Sequence, residues 1–395
     1  MTAPAPTREL RRARIAVATC FALNAVFYAN LVPRLPELRD DLGLTNAALG
    51  AALAAAPLGA LLMGPAAAVL INRLGSGPVA SLGLTGLGVG VAVAAGAPNW
   101  AVLAAALFLV GALDTVVDVA QNAHGLRVQR GYGRSILNAL HGLWSLGAVA
   151  GGLLGSLVAG LGVPRELHLA VSAVVFGAVA LLVRAWMLPG RDDADAVPAD
   201  GATPHAPRRG RRTAVLTLAV LGVLAAAGAF VEDSAASWSA IWLRDDLGAG
   251  VVAAGLGFVV FQVAMTAGRL TGDRVVDRFG QRRVARVGGA VIAAGFALML
   301  AAPSLPTTLV GYALAGVGVA TLVPAVYAAA DQVPGLPTGV GLTAVNLLLR
   351  LGFLVSPPLI GLVADAVGLR VGLGFVVLAG VLVLVLGRSL RTRVT

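Results

Sequence analysis

Arg39-Asp40-Asp41-Leu42-Gly43 returns 205 residues later as Arg244-Asp245-Asp246-Leu247-Gly248. With no gap, the same offset carries Asn72-Arg73-Leu74-Gly75 onto Asp277-Arg278-Phe279-Gly280, Gly50 onto Gly255 and Gly83 onto Gly288. Two punctuation marks, one apolar span apart, therefore recur in both halves. The chain reads as a duplicated block of helices.

The solvent of those helices follows from composition. The 395 residues are 58% hydrophobic and 12% charged, with mean hydropathy +0.88, too little polar surface for a water-soluble chain of this length. Apolar runs of about 20 residues, each able to cross a ~30 Å hydrocarbon core, fill most of the sequence. Twelve are expected: 14–34, 45–71, 77–97, 99–123, 135–161, 167–188, 213–237, 250–272, 284–302, 306–330, 337–363 and 368–388. They lack the alternation of barrel strands, so each must satisfy its backbone as a helix. The expected fold is an all-α membrane protein of two pseudo-symmetric six-helix halves. Such duplicated blocks are the ground plan of many secondary transporters.

The net charge of +10 could suggest nucleic acid, but its distribution points to a membrane. A cytoplasmic N-terminus puts Arg8–Arg14, Arg73, Arg127–Arg134, Arg208–Arg212, Arg274–Arg286 and Arg388–Arg393 inside. Outside fall Arg34, Arg39, Arg165, Arg244 and Arg370. This positive-inside asymmetry predicts a multi-pass membrane protein with both termini cytoplasmic. Every basic residue is arginine, which reads as coding bias rather than function. Residues 189–212 break helices with prolines and glycines and form the expected linker. It separates bundles at 14–188 and 213–388, with tails at 1–13 and 389–395. The N-terminal tail reads as disordered rather than as a signal peptide. Cys20 is the one cysteine, so no intrachain disulfide is expected.

After the eighth span the sequence runs Gly272-Asp273-Arg274-Val275-Val276-Asp277-Arg278-Phe279-Gly280-Gln281-Arg282-Arg283. Its Asp-Arg-x-Gly-x-Arg-Arg core resembles the signature loop of the major facilitator superfamily. That resemblance implies a cytoplasmic gate in which Asp277 accepts from a neighbouring helix N-terminus. Arg278, Gly280 and Arg282 would belong to the same latch, the arginines bridging to acids. The first copy keeps Arg73 but has Asn72 for the acid and Ser76-Gly77-Pro78 for the basic tail. Pro33-Arg34-Leu35-Pro36, Asp118-Val119-Ala120-Gln121-Asn122-Ala123, His141-Gly142-Leu143-Trp144-Ser145 and Glu232 with Ala236-Ser237-Trp238-Ser239 are similar to one bacterial branch. That branch is distantly related to fucose-permease-type sugar transporters. In the fifth span, Gly147-Ala148-Val149-Ala150-Gly151-Gly152 resembles the Gly-Pro-x-x-Gly-Gly motif of proton-drug antiporters, with Ala148 in place of proline. Gly147, Gly151, Gly152 and Gly155 also form a close-packing face of the small-xxx-small kind.

Ionisable groups at bilayer depth cost at least ~2.5–3.5 kcal/mol on insertion scales and so face a cavity or a partner. Asp114 and Asp118 lie one turn apart in the fourth span, with Gln121 and Asn122 extending the stripe. Close carboxylates repel when both are ionised, which suits one of them to carry a proton. The alternative is an acid tied to a neighbouring helix. Glu232 and Asp233 point about 100° apart, so one alone can face a cavity; Glu232 is expected there and Asp233 nearer the rim. Arg350, with Asn346 one turn before it, must pair with an acid such as Asp114 or Asp118 or bind an anionic or polyhydroxyl substrate. Asn24 and Tyr28 share a face of the first span. Asn138, His141 and Ser145 share one of the fifth, beside Trp144, and Gln262 lies in the eighth. Each can line a cavity or make an interhelical hydrogen bond. His141 titrates near physiological pH and is the best of them for proton transfer.

The expected function is secondary transport of a small solute, coupled to protons through Asp118, Asp114, Glu232 and His141. Charge-partner or substrate contacts would come from Arg350, Asn346, Asn24, Tyr28, Asn122, Asn138, Trp144 and Gln262. A symporter importing a sugar-like solute and an antiporter exporting drugs or metabolites both remain open. His141 and Ser145 could place a base beside a nucleophile, but no motif supplies an oxyanion hole, so no enzyme is expected. No phosphate-binding loop, dinucleotide fingerprint or metal-ligand cluster appears, so no cofactor or metal is expected. The expected partners are substrate, protons and lipid, not nucleic acid, and the resemblance implies a monomer.

Overall fold

The computed structural model describes residues 7–133, 135–190, 208–333 and 340–390. Most of the expected linker, the outermost tail residues, and Arg134, Arg391 and Arg393 lie outside them. Among the described residues twelve helical spans are long and apolar enough to cross a membrane, and each overlaps one expected run.

Two compact units divide the chain, one of residues 1–44 and 55–198, the other of 45–54 and 199–395. The first contains α1 (Arg8–Leu31), α2 (Leu35–Asp41), α4 (Ala55–Leu74), α5 (Ser76–Ala95), α6 (Trp100–Tyr132), α7 (Leu137–Gly160) and α8 (Arg165–Arg184). The second contains α3 (Asn46–Leu53), α9 (Arg208–Ile241), α10 (Val251–Phe279), α11 (Gln281–Ala301), α12 (Leu305–Val319), α13 (Leu322–Asp331), α14 (Val340–Val367) and α15 (Leu369–Leu386). Two expected boundaries shift. Thr7 caps the backbone N–H of Leu10, so helix replaces the expected tail from Arg8, and α9 begins inside the expected linker at Arg208.

The duplication is visible in the packing. In the first unit α1 lies on α7, α4 and α5 on α6, and α5 on α8. The second repeats this as α9 on α14, α10 and α11 on α12, and α11 on α15. The punctuation recurs in conformation as well. Gly43 and Gly248 have φ of +59° and +64°, and Gly75 and Gly280 +86° and +78°, values that glycine alone adopts cheaply. Asn99 and Ser304, also one offset apart, cap α6 and α12 with their side chains.

Prolines explain the broken spans. Pro57 cannot donate to Leu53, where α3 ends, and Pro324 cannot donate to Ala320, in the break between α12 and α13. Residues 45–54 join the second unit because α3 packs on α14. Gly50 lies against the carbonyl of Pro357 and Gly361 against that of Asn46, with no room for a Cβ at either. Asp365 closes this contact by accepting from Asn46 N at 2.9 Å and Ala47 N at 2.8 Å.

Candidate functional site

Three helices of the first unit bring a chain of polar side chains together. α7 approaches α1 through a glycine on successive turns: Gly147 faces the carbonyl of Ala22, Gly151 that of Val26 and Gly155 that of Asn30. A Cβ on Gly151 would stand 2.7 Å from the Val26 oxygen, so the fifth-span glycines serve close packing. Asn24 is buried on α1. Its Oδ1 accepts from Trp144 Nε1 at 2.8 Å, and its Nδ2 donates to Asp114 Oδ1 of α6 at 2.8 Å. An indole only donates and a carboxylate only accepts, so these neighbours fix the orientation of the amide.

One turn along α6, Asp118 is exposed. Its Oδ1 accepts from Asn122 Nδ2 at 3.0 Å and from Gln121 Nε2 at 3.5 Å. Asn122 also donates to the Asp118 carbonyl at 2.8 Å, and Gln121 is buried. Both amides thus turn back onto Asp118 along the same stripe of α6. Tyr28 is half-buried. The shared face of Asn138, His141 and Ser145 is divided by burial. Asn138 and His141 are exposed, whereas Ser145 is covered where α7 runs along α1. The His141 ring meets Phe21 edge-on at 5.1 Å.

Sequence reading missed the buried charges of this unit. Arg34 and Arg165, counted among the outer charges, are 3% and 5% exposed. Arg34 pairs with Glu37 at 2.9 Å, donates to the Val163 carbonyl at 2.9 Å and lies 3.4 Å from His168 Nδ1. Arg165 donates to the Ala95 carbonyl at 2.7 Å and pairs with Asp41 and, at 2.9 Å, with Glu166. Acids from two sequence neighbourhoods, 37–41 and Glu166, thus gather around two guanidinium groups; the pairing of Arg165 with Asp41 is one that no local pattern signals. Buried His124 was also missed. It accepts from Leu188 N at 3.2 Å through Nε2, so Nδ1 carries the proton shared with Ser76 at 2.9 Å.

In the second unit Glu232 is half-buried, 3.8 Å from Arg269 of α10. Arg269 is an intramembrane cation missing from the expected set; its position inside the eighth span was the available signal. Asp233 is not at a rim but buried, 9% exposed. It is held within α9 by Ser237, which donates to its Oδ1 at 3.2 Å, while Ser356 of α14 donates to the Phe230 carbonyl instead. The Asp233 Oδ2 has no partner among the described residues. Asn346 accepts from Tyr327 of α13 at 3.0 Å, and Arg350, one turn on, is half-buried. Gln262 is buried on α10, with Oε1 unpartnered among the described residues.

The expected signature loop is mostly helix. α10 runs through Asp277 and Arg278 to Phe279, and Gly280 alone separates it from α11. Arg73 likewise ends α4 before Gly75. Within its own unit Asp277 is exposed and pairs with none of the described residues. There Arg282 Nε donates to the Leu390 carbonyl at 3.0 Å rather than to an acid, because α11 packs on α15 and brings that chain end to it. Among the described residues no metal-ligand cluster forms.

The two helical units and their matched breaks agree with the family comparison. The model of the Major Facilitator Superfamily matches residues 17–232 and 218–394. The chain belongs to the major facilitator superfamily. It is 32% identical over 378 residues to the uncharacterized transporter y4wD of Sinorhizobium fredii, covering 95% of this chain and 97% of that protein. Its fold resembles the crystal structure of a bacterial homolog of the human lysosomal transporter Spinster, with TM-score 0.76 at 15% identity, covering 99% of this chain and 100% of that one. It also resembles FucP, with TM-score 0.62 at 20% identity, covering 96% and 99%. This superfamily member is a multi-pass membrane transporter.

Proposed function

We propose that the protein is a proton-coupled symporter that moves a small polar, sugar-like solute by alternating access. It works in a bacterial cytoplasmic membrane with both termini cytoplasmic. The Trp144–Asn24–Asp114 chain carries this reading, because it ties a carboxylate at membrane depth to two further helices. Asp118 is the exposed acid one turn away and takes the proton; repulsion between the two carboxylates favours sharing it. Neutralising Asp114 weakens a charge-assisted hydrogen bond to one of roughly half the strength. The Asn24 amide is then free to turn, and Trp144 loses its acceptor. A proton on α6 is thereby communicated to α1 and α7.

Glu232, beside Arg269, is a second proton position, and His141 a third. Tyr28, Asn122, Asn138 and Trp144 supply substrate contacts in the first unit; Asn346, Gln262 and Arg350 supply them in the second. Arg73, Asp277, Arg278, Gly280 and Arg282 belong to the cytoplasmic gate. The alternative is a proton-coupled antiporter exporting drugs or metabolites; the fifth-span glycines, which pack on α1, do not distinguish the two.

A pH-sensing dye enclosed in proteoliposomes tests the reading. Addition of external substrate from a panel of sugars and organic acids is expected to acidify the lumen. Alkalinisation would identify proton antiport, and uptake with no pH change would contradict proton coupling.

A further inference from the structure

A groove of about 360 Å³ runs between α10, α11 and α12. Its floor exists because small residues let the helices meet. A Cβ on Gly268 would stand 2.7 Å from Ala320 Cβ, and Gly288 abuts the Gly318 backbone. Its walls are apolar, and Val275, Val287 and Val317 are 40%, 55% and 51% exposed. From Gly268 to Phe279 the trough follows three turns of helix, roughly 16 Å.

Charge is confined to one end. There the exposed Phe279 ring is flanked by two guanidinium groups, Arg278 at 5.4 Å and Arg283 at 5.7 Å. Neither arginine has an acid partner among the described residues. In the first copy Arg73 matches Arg278, but Leu74 and Pro78 stand at the positions of Phe279 and Arg283, so the ring and the second cation belong to this half alone.

We propose that this groove is a binding site for an anionic phospholipid. One acyl chain lies along Val275, Val287 and Val317, and the phosphate is held by Arg278 and Arg283. An apolar trough in line with two cations that have no acid partner among the described residues matches an amphiphile with a negative head. Free phosphate would leave the trough unused, and a zwitterionic lipid would carry a cation towards the arginines.

Native mass spectrometry of the full chain, titrated in detergent with phosphatidylglycerol or with phosphatidylcholine of the same chains, tests this. Phosphatidylglycerol is expected to saturate one site at least tenfold earlier. Arg278→Gln with Arg283→Gln is expected to raise its half-saturating concentration about thirtyfold, roughly fivefold per arginine. Val317→Trp, which fills the trough, is expected to reduce retention of both lipids. Arg274→Gln, a charge removed outside the groove, is expected to change nothing. Equal retention of the two lipids would overturn the proposal. So would an equal loss with Arg274→Gln, which would mean diffuse attraction, or competition by inorganic phosphate as effective as the lipid. The arginine substitutions are exposed, so thermal unfolding is expected to match the parent and keep the result readable should Val317→Trp fail to fold.

Discussion

Replacing Asp365 should loosen the first turn of α3 without unravelling it. One carboxylate accepts from both Asn46 N and Ala47 N, at 2.9 and 2.8 Å, while Thr45 separately caps Ala48 N at 3.2 Å. Loss of a side-chain cap costs about 1 kcal/mol, and loss of an exposed charge near a helix N-terminus about 0.3–1 kcal/mol more. Asp365→Ala should therefore cost about 1.5 kcal/mol, roughly a tenfold increase in opening of that turn. Asp365→Asn keeps a neutral acceptor for one donor and should lose about half as much. Amide hydrogen exchange of a peptide covering residues 45–54, in detergent or nanodiscs, reads this directly. Exchange should quicken about tenfold in the alanine variant and about threefold in the asparagine variant. High salt should narrow the gap between them, because charge–dipole attraction is screened. Unchanged protection in Asp365→Ala would refute the reasoning and mean that the glycine contacts alone hold α3.

Three further outcomes follow from the same geometry. Gly151→Ala places a Cβ 2.7 Å from the Val26 oxygen and should cost about 1–3 kcal/mol, lowering the melting temperature in detergent, whereas Gly142→Ala meets nothing within 4 Å and should be neutral or slightly stabilising. Asn24→Leu and Trp144→Phe should each impair transport but not additively; a double-mutant cycle on transport rates should give a coupling of about 0.5–3 kcal/mol, and strict additivity would break the proposed chain. Arg165→Met leaves Asp41 and Glu166 without their shared cation and should destabilise the first unit by about 2 kcal/mol, less than for a fully buried pair because both acids are exposed; thermal unfolding checks it.

The duplication was legible in the sequence because it is written in residues with few substitutes. Gly75 and Gly280 keep a positive φ that other residues resist, and Asn99 and Ser304 each offer a capping oxygen. The twelve spans were legible because length and apolarity are forced by the bilayer. Partner choice was not. Asn24 and Asp114 are 90 residues apart, and their hydrogen bond depends on how α1 lies against α6. The partnership of Tyr327 with Asn346 and the gathering around Arg165 are of the same kind. Which of Glu232 and Asp233 is buried depended on the rotation of α9 against α14, which a 100° step alone does not set. The signature stretch was misjudged as a loop because its charges suggested exposure, and an exposed helix end serves them equally well.

The most direct test is substrate-evoked current from proteoliposomes on a solid-supported membrane, comparing the parent with Asp114→Asn and Asp118→Asn. The panel should hold sugars, organic acids and cationic drugs. The account predicts a current with one class, favouring sugars, that needs a proton gradient in the parent and is lost or uncoupled from that gradient in Asp118→Asn. Asp114→Asn should reduce it as well. A current unchanged in both variants would contradict the assignment of proton coupling to the α6 carboxylates.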